Sequence, residues 1–221
     1  FKDPSKAASS QEVLIEGKSS LFLVRQDARI CLGISGGSKD IAVWAGTTVV
    51  FSGIDLLGQY YCGSSEAVGR RFTRFCKKFI THGNSEDAKA LYMLRNAITH
   101  KYGLFSETGD SPPIRYEFTV TYEPGKKLPL VTRSFDDGIT KKYTVDLFVL
   151  YDKFLTGIEK YKKVLIDNKN RKLDKFMTVY KSYGKVGGAN QVTVSASGIN
   201  YLGDDVVVVS VTSGSSLRNS D

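Results

Sequence analysis

Arg95, Asn96 and His100 are the residues of this chain whose types and spacing could do chemistry together. A guanidinium stays charged and can neutralise an anion, an imidazole exchanges a proton near neutrality, and an amide can orient either one. Together they suit proton transfer beside a developing negative charge. The stretch that must position them is residues 84–103, NSEDAKALYMLRNAITHKYG. Asn84 or Ser85 can cap a helix there, Glu86 and Asp87 suit the positive end of its dipole, and Gly103 supplies the stop. Ala88, Leu91, Arg95, Ile98 and Tyr102 recur at spacings of three and four, and Met93, Leu94 and Ala97 make a second side apolar. This pattern predicts a central helix covered on most sides. Arg95 sits on its buried stripe, where a guanidinium requires an anionic or strongly accepting partner. Tyr92, Asn96 and His100 follow at four-residue intervals on the adjacent face.

The run Arg95-Asn96-Ala97-Ile98-Thr99-His100 resembles the R-x(4–6)-H motif of the HEPN superfamily, in which a polar residue, often Asn, follows the Arg. Leu94 before it and Lys101-Tyr102-Gly103 after it are similar to bacterial HEPN proteins. The likeness is sharp from Leu91 to Leu104 and loose over residues 21–183. It implies a HEPN-like helical bundle and a metal-independent endoribonuclease, or an RNA-binding protein, with no cofactor. On that reading His100 is the general base or acid, Arg95 stabilises the phosphate and the transition state, and Asn96 orients phosphate or imidazole. RNA brings its own nucleophile, the 2′-hydroxyl. Five helical residues turn Arg95 and His100 about 140° apart. The expectation is therefore a cleft shared at a homodimer interface, each chain giving complementary partners. The alternative is a non-catalytic dimerisation or interaction module, in which Arg95 is a structural cation and His100 an interface histidine. The RNA substrate, a toxin or defence role, and any regulatory partner protein are left open.

Net charge is +8, from 31 basic and 23 acidic residues. That balance favours polyanionic partners in a sequence-blind way, or serves solubility alone. No apolar run is long enough to span a bilayer, and FKDPSKAASS carries no signal-peptide core, so the expected location is cytoplasmic. Cys31, Cys62 and Cys76 are odd in number and lack C-x-x-C spacing; with only His82 and His100 beside them, neither a zinc site nor a disulfide framework is expected.

Residues 1–20 are polar and predict a loosely docked start. A first helix is expected over 21–32, ended by Gly33, and a second over 38–61 with Ser38 as cap, Gly53 and Gly58 as weak points and Trp44 in the core. Gly33-Ile34-Ser35-Gly36-Gly37 has the form of a nucleophile elbow, but Arg25, Gln26, Asp27 and Arg29 make a poor buried strand before it, and a helix-to-helix turn accounts better for it. Over 65–81 Val68, Phe72, Phe75 and Phe79 form an apolar stripe, while Arg70, Arg71, Arg74, Lys77 and Lys78 crowd the other faces with only Glu66 to balance them. Those five cations, joined by Tyr102, form the candidate RNA-binding set; a solvated helix face is the competing account.

RYEFTVTYE, residues 115–123, alternates as a strand, Pro124-Gly125 turns the chain, and residues 130–135 return before Asp136-Asp137-Gly138. This predicts a small β-hairpin insertion at about 114–135. Helices follow over 145–166, with Phe148, Tyr151, Leu155 and Ile158 inward, and over 172–183. Residues 191–213 suggest two strands parted by Gly203-Asp204. The expected fold class is thus mainly α, with residues 1–20 a polar segment, 21–184 the helical domain carrying the insertion, and 185–221 a β-rich appendage with a polar tail.

Overall fold

The strongest local signals of the chain converge on α4 (Ser85–Lys101), around which residues 24–185 pack in this computed structural model, which describes residues 20–34, 41–167, 171–183, 194–201 and 207–211. Asn84 caps α4: its side-chain oxygen accepts from the amides of Glu86 at 2.9 Å and Asp87 at 3.1 Å. Ala88, Ala90, Leu91, Met93, Leu94, Ala97 and Ile98 are all buried, as a helix covered on several sides requires. The helix ends at Lys101, two residues before Gly103. Tyr102, not Gly103, takes the left-handed cap conformation (φ 47°, ψ 38°), and the amides of both residues turn back to the Ala97 carbonyl.

Before α4 come α1 (Ser20–Cys31), α2 (Val43–Cys62) and α3 (Val68–Phe75), the last continuing into a π-helical turn at Cys76–Ile80. Helix α1 precedes the Gly33 turn where a nucleophile elbow would need a strand; Ser35 to Ser38 lie outside the described residues. Helix α2 is nearly apolar all round, so its pattern could not set its buried face. The core takes Thr47, Val50, Phe51, Ile54 and Leu57, while Trp44, expected in the core, is 36% exposed on the first turn. Gly53 and Gly58 are points of close approach, not of weakness. A Cβ at Gly53 would stand 2.6 Å from the Phe154 ring, and one at Gly58 3.0 Å from the Arg71 carbonyl. Phe72, Phe75 and Phe79 pack inward as expected, but Val68 is exposed.

The β part overturns the expectation of a mainly helical bundle with a small hairpin insertion. Strands β1 (Phe105–Glu107), β2 (Arg115–Thr121), β3 (Val131–Asp136) and β4 (Thr140–Asp146) form one four-stranded mixed sheet in the order β1-β2-β4-β3. The segments 115–121 and 131–136 do not pair with each other. β4 lies between them, parallel to β2 with Phe118 opposite Tyr143, and antiparallel to β3 across the turn at Asp136–Gly138. Lys141 and Lys142 hid β4 in the sequence by breaking its apolar alternation. In the sheet both are matched by neighbouring strands, Lys141 to Asp136 at 3.0 Å and Lys142 to Glu117 at 3.1 Å. Tyr116, Phe118 and Tyr143 are buried on one face with stacked rings, and the Tyr143 hydroxyl donates to Glu86 Oε1 at 3.0 Å, fastening the sheet to the first turn of α4.

Buried Asp146 ends β4 and starts α5 (Leu147–Asp167), accepting from the Val149 amide at 2.8 Å and from the Thr121 hydroxyl at 2.8 Å. The inward face of α5 is Leu147, Leu150, Tyr151, Phe154, Gly157, Ile158 and Tyr161; Phe148 and Leu155 are half-buried. Helix α6 (Arg171–Tyr183) packs on α2, where Phe176 meets Tyr60. By internal packing the chain divides into a unit of Val24–Lys185 and another of Phe1–Leu23 with Val186–Asp221. In the latter β5 (Val194–Tyr201) and β6 (Val207–Val211) form an antiparallel pair. The expected turn at Gly203-Asp204, the polar start and the tail lie outside the described residues. Among the described residues no helix is long and apolar enough to cross a membrane.

Candidate active site

Arg95 projects from the third turn of α4 towards α2 and finds the anionic partner its burial demands. Asp55 Oδ2 accepts from Arg95 Nε at 2.9 Å and from Nη2 at 2.8 Å. Both side chains are mostly covered, 16% and 23% exposed. Asp55 was not among the expected site residues, although it is the single charged residue of α2. A lone carboxylate in a helix with no other charged residue is the signal that could have found it.

The remaining nitrogen of the guanidinium faces the motif. Arg95 Nη1 donates to Asn96 Oδ1 at 3.0 Å and lies 2.7 Å from His100 Nε2. The guanidinium can only donate, so His100 Nε2 is the acceptor, and a neutral ring carries its proton on Nδ1. The two side chains thus meet within one chain, although five helical residues turn them about 140° apart. Their Cα–Cβ bonds do diverge, but the long arginine side chain curls along the helix to reach the imidazole. Asp55, Arg95, Asn96 and His100 are therefore one hydrogen-bonded cluster in a single chain, passing from a covered carboxylate to an exposed imidazole.

Burial pushes the Asp55 carboxyl above its ordinary value, and the charge and hydrogen bond of Arg95, then Arg71 and His100 at longer range, pull it back. Asp55 Oδ1 is buried and has no hydrogen-bond partner among the described residues. Tyr92 leaves the expected polar face: its ring packs against Gly69 and Phe72 of α3. Thr99 bonds back to the Arg95 carbonyl.

The expected RNA-binding set is divided. Arg70 is exposed on α3, whereas Arg71 is half-buried and donates to the Ser64 carbonyl at 3.1 Å. Arg74, Lys77 and Lys78 line an open groove of about 770 Å³, with Tyr61, Cys62 and Lys175. Arg74 holds Glu66 at 2.7 Å, and that partner keeps the Glu66 carboxyl below its usual range. Tyr102 is 83% exposed two residues beyond His100. Next to it the Phe105 ring has Arg115 Cζ 4.7 Å and Lys101 Nζ 4.8 Å from its centre, a cation–aromatic stack whose members no sequence pattern had brought together.

Among the described residues no group of three or more His, Cys, Asp or Glu side chains is placed to hold a metal ion. No family model, no curated protein and no solved structure matches this chain.

Proposed function

We propose that this protein is a metal-independent endoribonuclease whose Arg95, Asn96 and His100 act on a phosphodiester, in keeping with the HEPN-like motif they spell. The observation that supports it is the 2.7 Å approach of Arg95 Nη1 to His100 Nε2, with that imidazole at the surface and the guanidinium braced from behind by Asp55. An incoming RNA phosphate replaces His100 as the acceptor from Nη1, and this frees the Nε2 lone pair. His100 then takes the proton of the 2′-hydroxyl, whose oxygen attacks the adjacent phosphorus. Arg95 neutralises the charge gathering on the phosphoryl oxygens, and the 5′-oxygen leaves as its P–O bond breaks, taking a proton from solvent water while His100 returns its own to solvent. Asn96 and Asp55 are positioning residues for the guanidinium. The products are a 2′,3′-cyclic phosphate and a 5′-hydroxyl. Because the cluster is complete in one chain, a homodimer, if formed, presents two such sites instead of sharing one.

The test is incubation of end-labelled RNA with the purified protein in excess chelator, with the product ends identified. Cyclic phosphate ends that vanish in His100→Ala support the proposal. Cleavage that needs an added divalent ion, or that persists in His100→Ala, defeats it.

A non-catalytic interaction module has one observation in its favour. Arg95 spends Nε and Nη2 on Asp55 and Nη1 on Asn96 and His100, which is how a structural cation is satisfied. On that reading no RNA is cleaved, and Arg95→Ala and His100→Ala change stability and association alone.

A further inference from the structure

The groove beside α3 gathers positive charge from three elements: Arg74 from α3, Lys77 and Lys78 from the π-helical turn, and Lys175 from α6. Of these only Arg74 has a carboxylate within ion-pair distance among the described residues, namely Glu66. Lys78 Nζ instead lies 5.8 Å from the centre of the Tyr61 ring, and that ring lines the same groove. Three cations with no carboxylate in ion-pair reach among the described residues repel one another, and a bound polyanion relieves that repulsion. The π-helical turn has a direct role here, since it adds a residue to the turn that carries both Lys77 and Lys78, and such turns recur at functional sites.

The groove is also placed in relation to the catalytic cluster. Cys62, in its wall, and Asp55, which holds Arg95, lie on the same face of α2, because seven residues make almost two full turns and about 10 Å of rise. Arg71, the residue of α3 whose charge reaches Asp55, is one turn before Arg74 in the groove. A strand laid along α3 therefore passes from the groove to the Asp55–Arg95 cluster over a short stretch of backbone.

We propose that this groove holds the phosphate backbone of single-stranded RNA next to the scissile bond, with Lys77, Lys78 and Lys175 on phosphates and the Tyr61 ring as a flat surface for a base. This rests on the reading of Arg95 and His100 as an RNA-cleaving pair and deepens it to a substrate class. An open groove with cations and an aromatic ring is the arrangement that tracks single strands without reading sequence. A duplex presents its two backbones across a wide cylinder that one bounded groove does not enclose.

The experiment measures binding of a fluorescent uridine octamer by anisotropy at several salt concentrations, in a His100→Ala background so that the strand stays intact. The combined Lys77→Gln and Lys175→Gln variant, with its fold checked by thermal melting, should bind about tenfold more weakly at low salt. Its slope of log affinity against log salt should be shallower by about 1.4, since each phosphate of a single strand that no longer meets a cation lowers the slope by about 0.7. An unchanged slope overturns the groove while leaving the cleavage reading intact. Inorganic pyrophosphate that binds the parent as tightly as the octamer, and fails to bind the same variant, also overturns it, showing a small polyanion site instead. If the wild-type chain cuts no RNA yet the slope falls as stated, the groove stands and the cleavage reading fails.

Discussion

Asp55 receives Arg95 on one oxygen only: Nε and Nη2 both donate to Oδ2, and Oδ1 stays buried with no partner among the described residues. The pair is thus a brace for the guanidinium and not a fully matched fork. Asp55→Ala should destabilise the fold by about 2 kcal/mol in urea denaturation, since it strands a mostly covered cation. A double-mutant cycle with Arg95→Ala should return a coupling of about 1 kcal/mol or more. Additive single effects would show that the ion pair carries no net energy.

The pH dependence follows from the same pair. The folded-state pKa of Asp55 is raised above the unfolded value, so its contribution to stability is fully present below the ordinary aspartate value and is lost as pH rises through the folded value. The stability of wild type relative to Asp55→Asn should therefore fall as pH rises from the acid side into that window and then level off. A difference curve that rises with pH there would mean that Arg95 outweighs burial.

Each chain holds a complete Arg95–His100 cluster, so if the proposed cleavage is observed and Arg95→Ala and His100→Ala each abolish it, mixing the two variants should restore none after subunit exchange. Recovery of activity in verified heterodimers would return the site to a shared cleft. His100 is exposed, and His100→Ala should leave stability within about 0.5 kcal/mol while abolishing the cleavage proposed above.

Tyr102 holds a backbone conformation that costs any residue with a Cβ. Tyr102→Gly should raise stability by about 1 kcal/mol by relieving the cap of α4. If its exposed ring stacks on an RNA base, the same change should weaken binding by about 1 kcal/mol or more. Higher melting temperature with unaltered RNA affinity would confine Tyr102 to the cap.

Burial, and after it the hydrogen bond and charge of Glu66, push the Cys62 thiol up to about 11. Alkylation by iodoacetamide, followed by mass spectrometry at Cys62, should be slow at neutral pH and accelerate only in strongly alkaline solution. Glu66→Gln should move that acceleration to lower pH. Rapid labelling of wild type at neutral pH would contradict the assigned environment.

The sequence alone determined those features that neighbouring residues decide among themselves. Asn84, Glu86 and Asp87 could be read as a helix start because a cap satisfies amides two and three residues away. The charge-poor face of α3 and the turn at Asp136–Gly138 were legible for the same reason. So was the need of Arg95 for an anion, because no local conformation removes the cost of burying a guanidinium.

Only the tertiary structure decided which anion that is, since Asp55 lies forty residues away and reaches Arg95 through the packing of α2 on α4. It also decided the face of α2, whose apolar residues surround the helix and carry no directional information. β4 was illegible because its lysines become acceptable strand residues only beside Asp136 and Glu117 on other strands. The Arg95–His100 hydrogen bond eluded a reading by helical angle, which follows Cβ directions, while the distance that matters is set by a long side chain that Asp55 and Asn96 hold in one of its many rotamers.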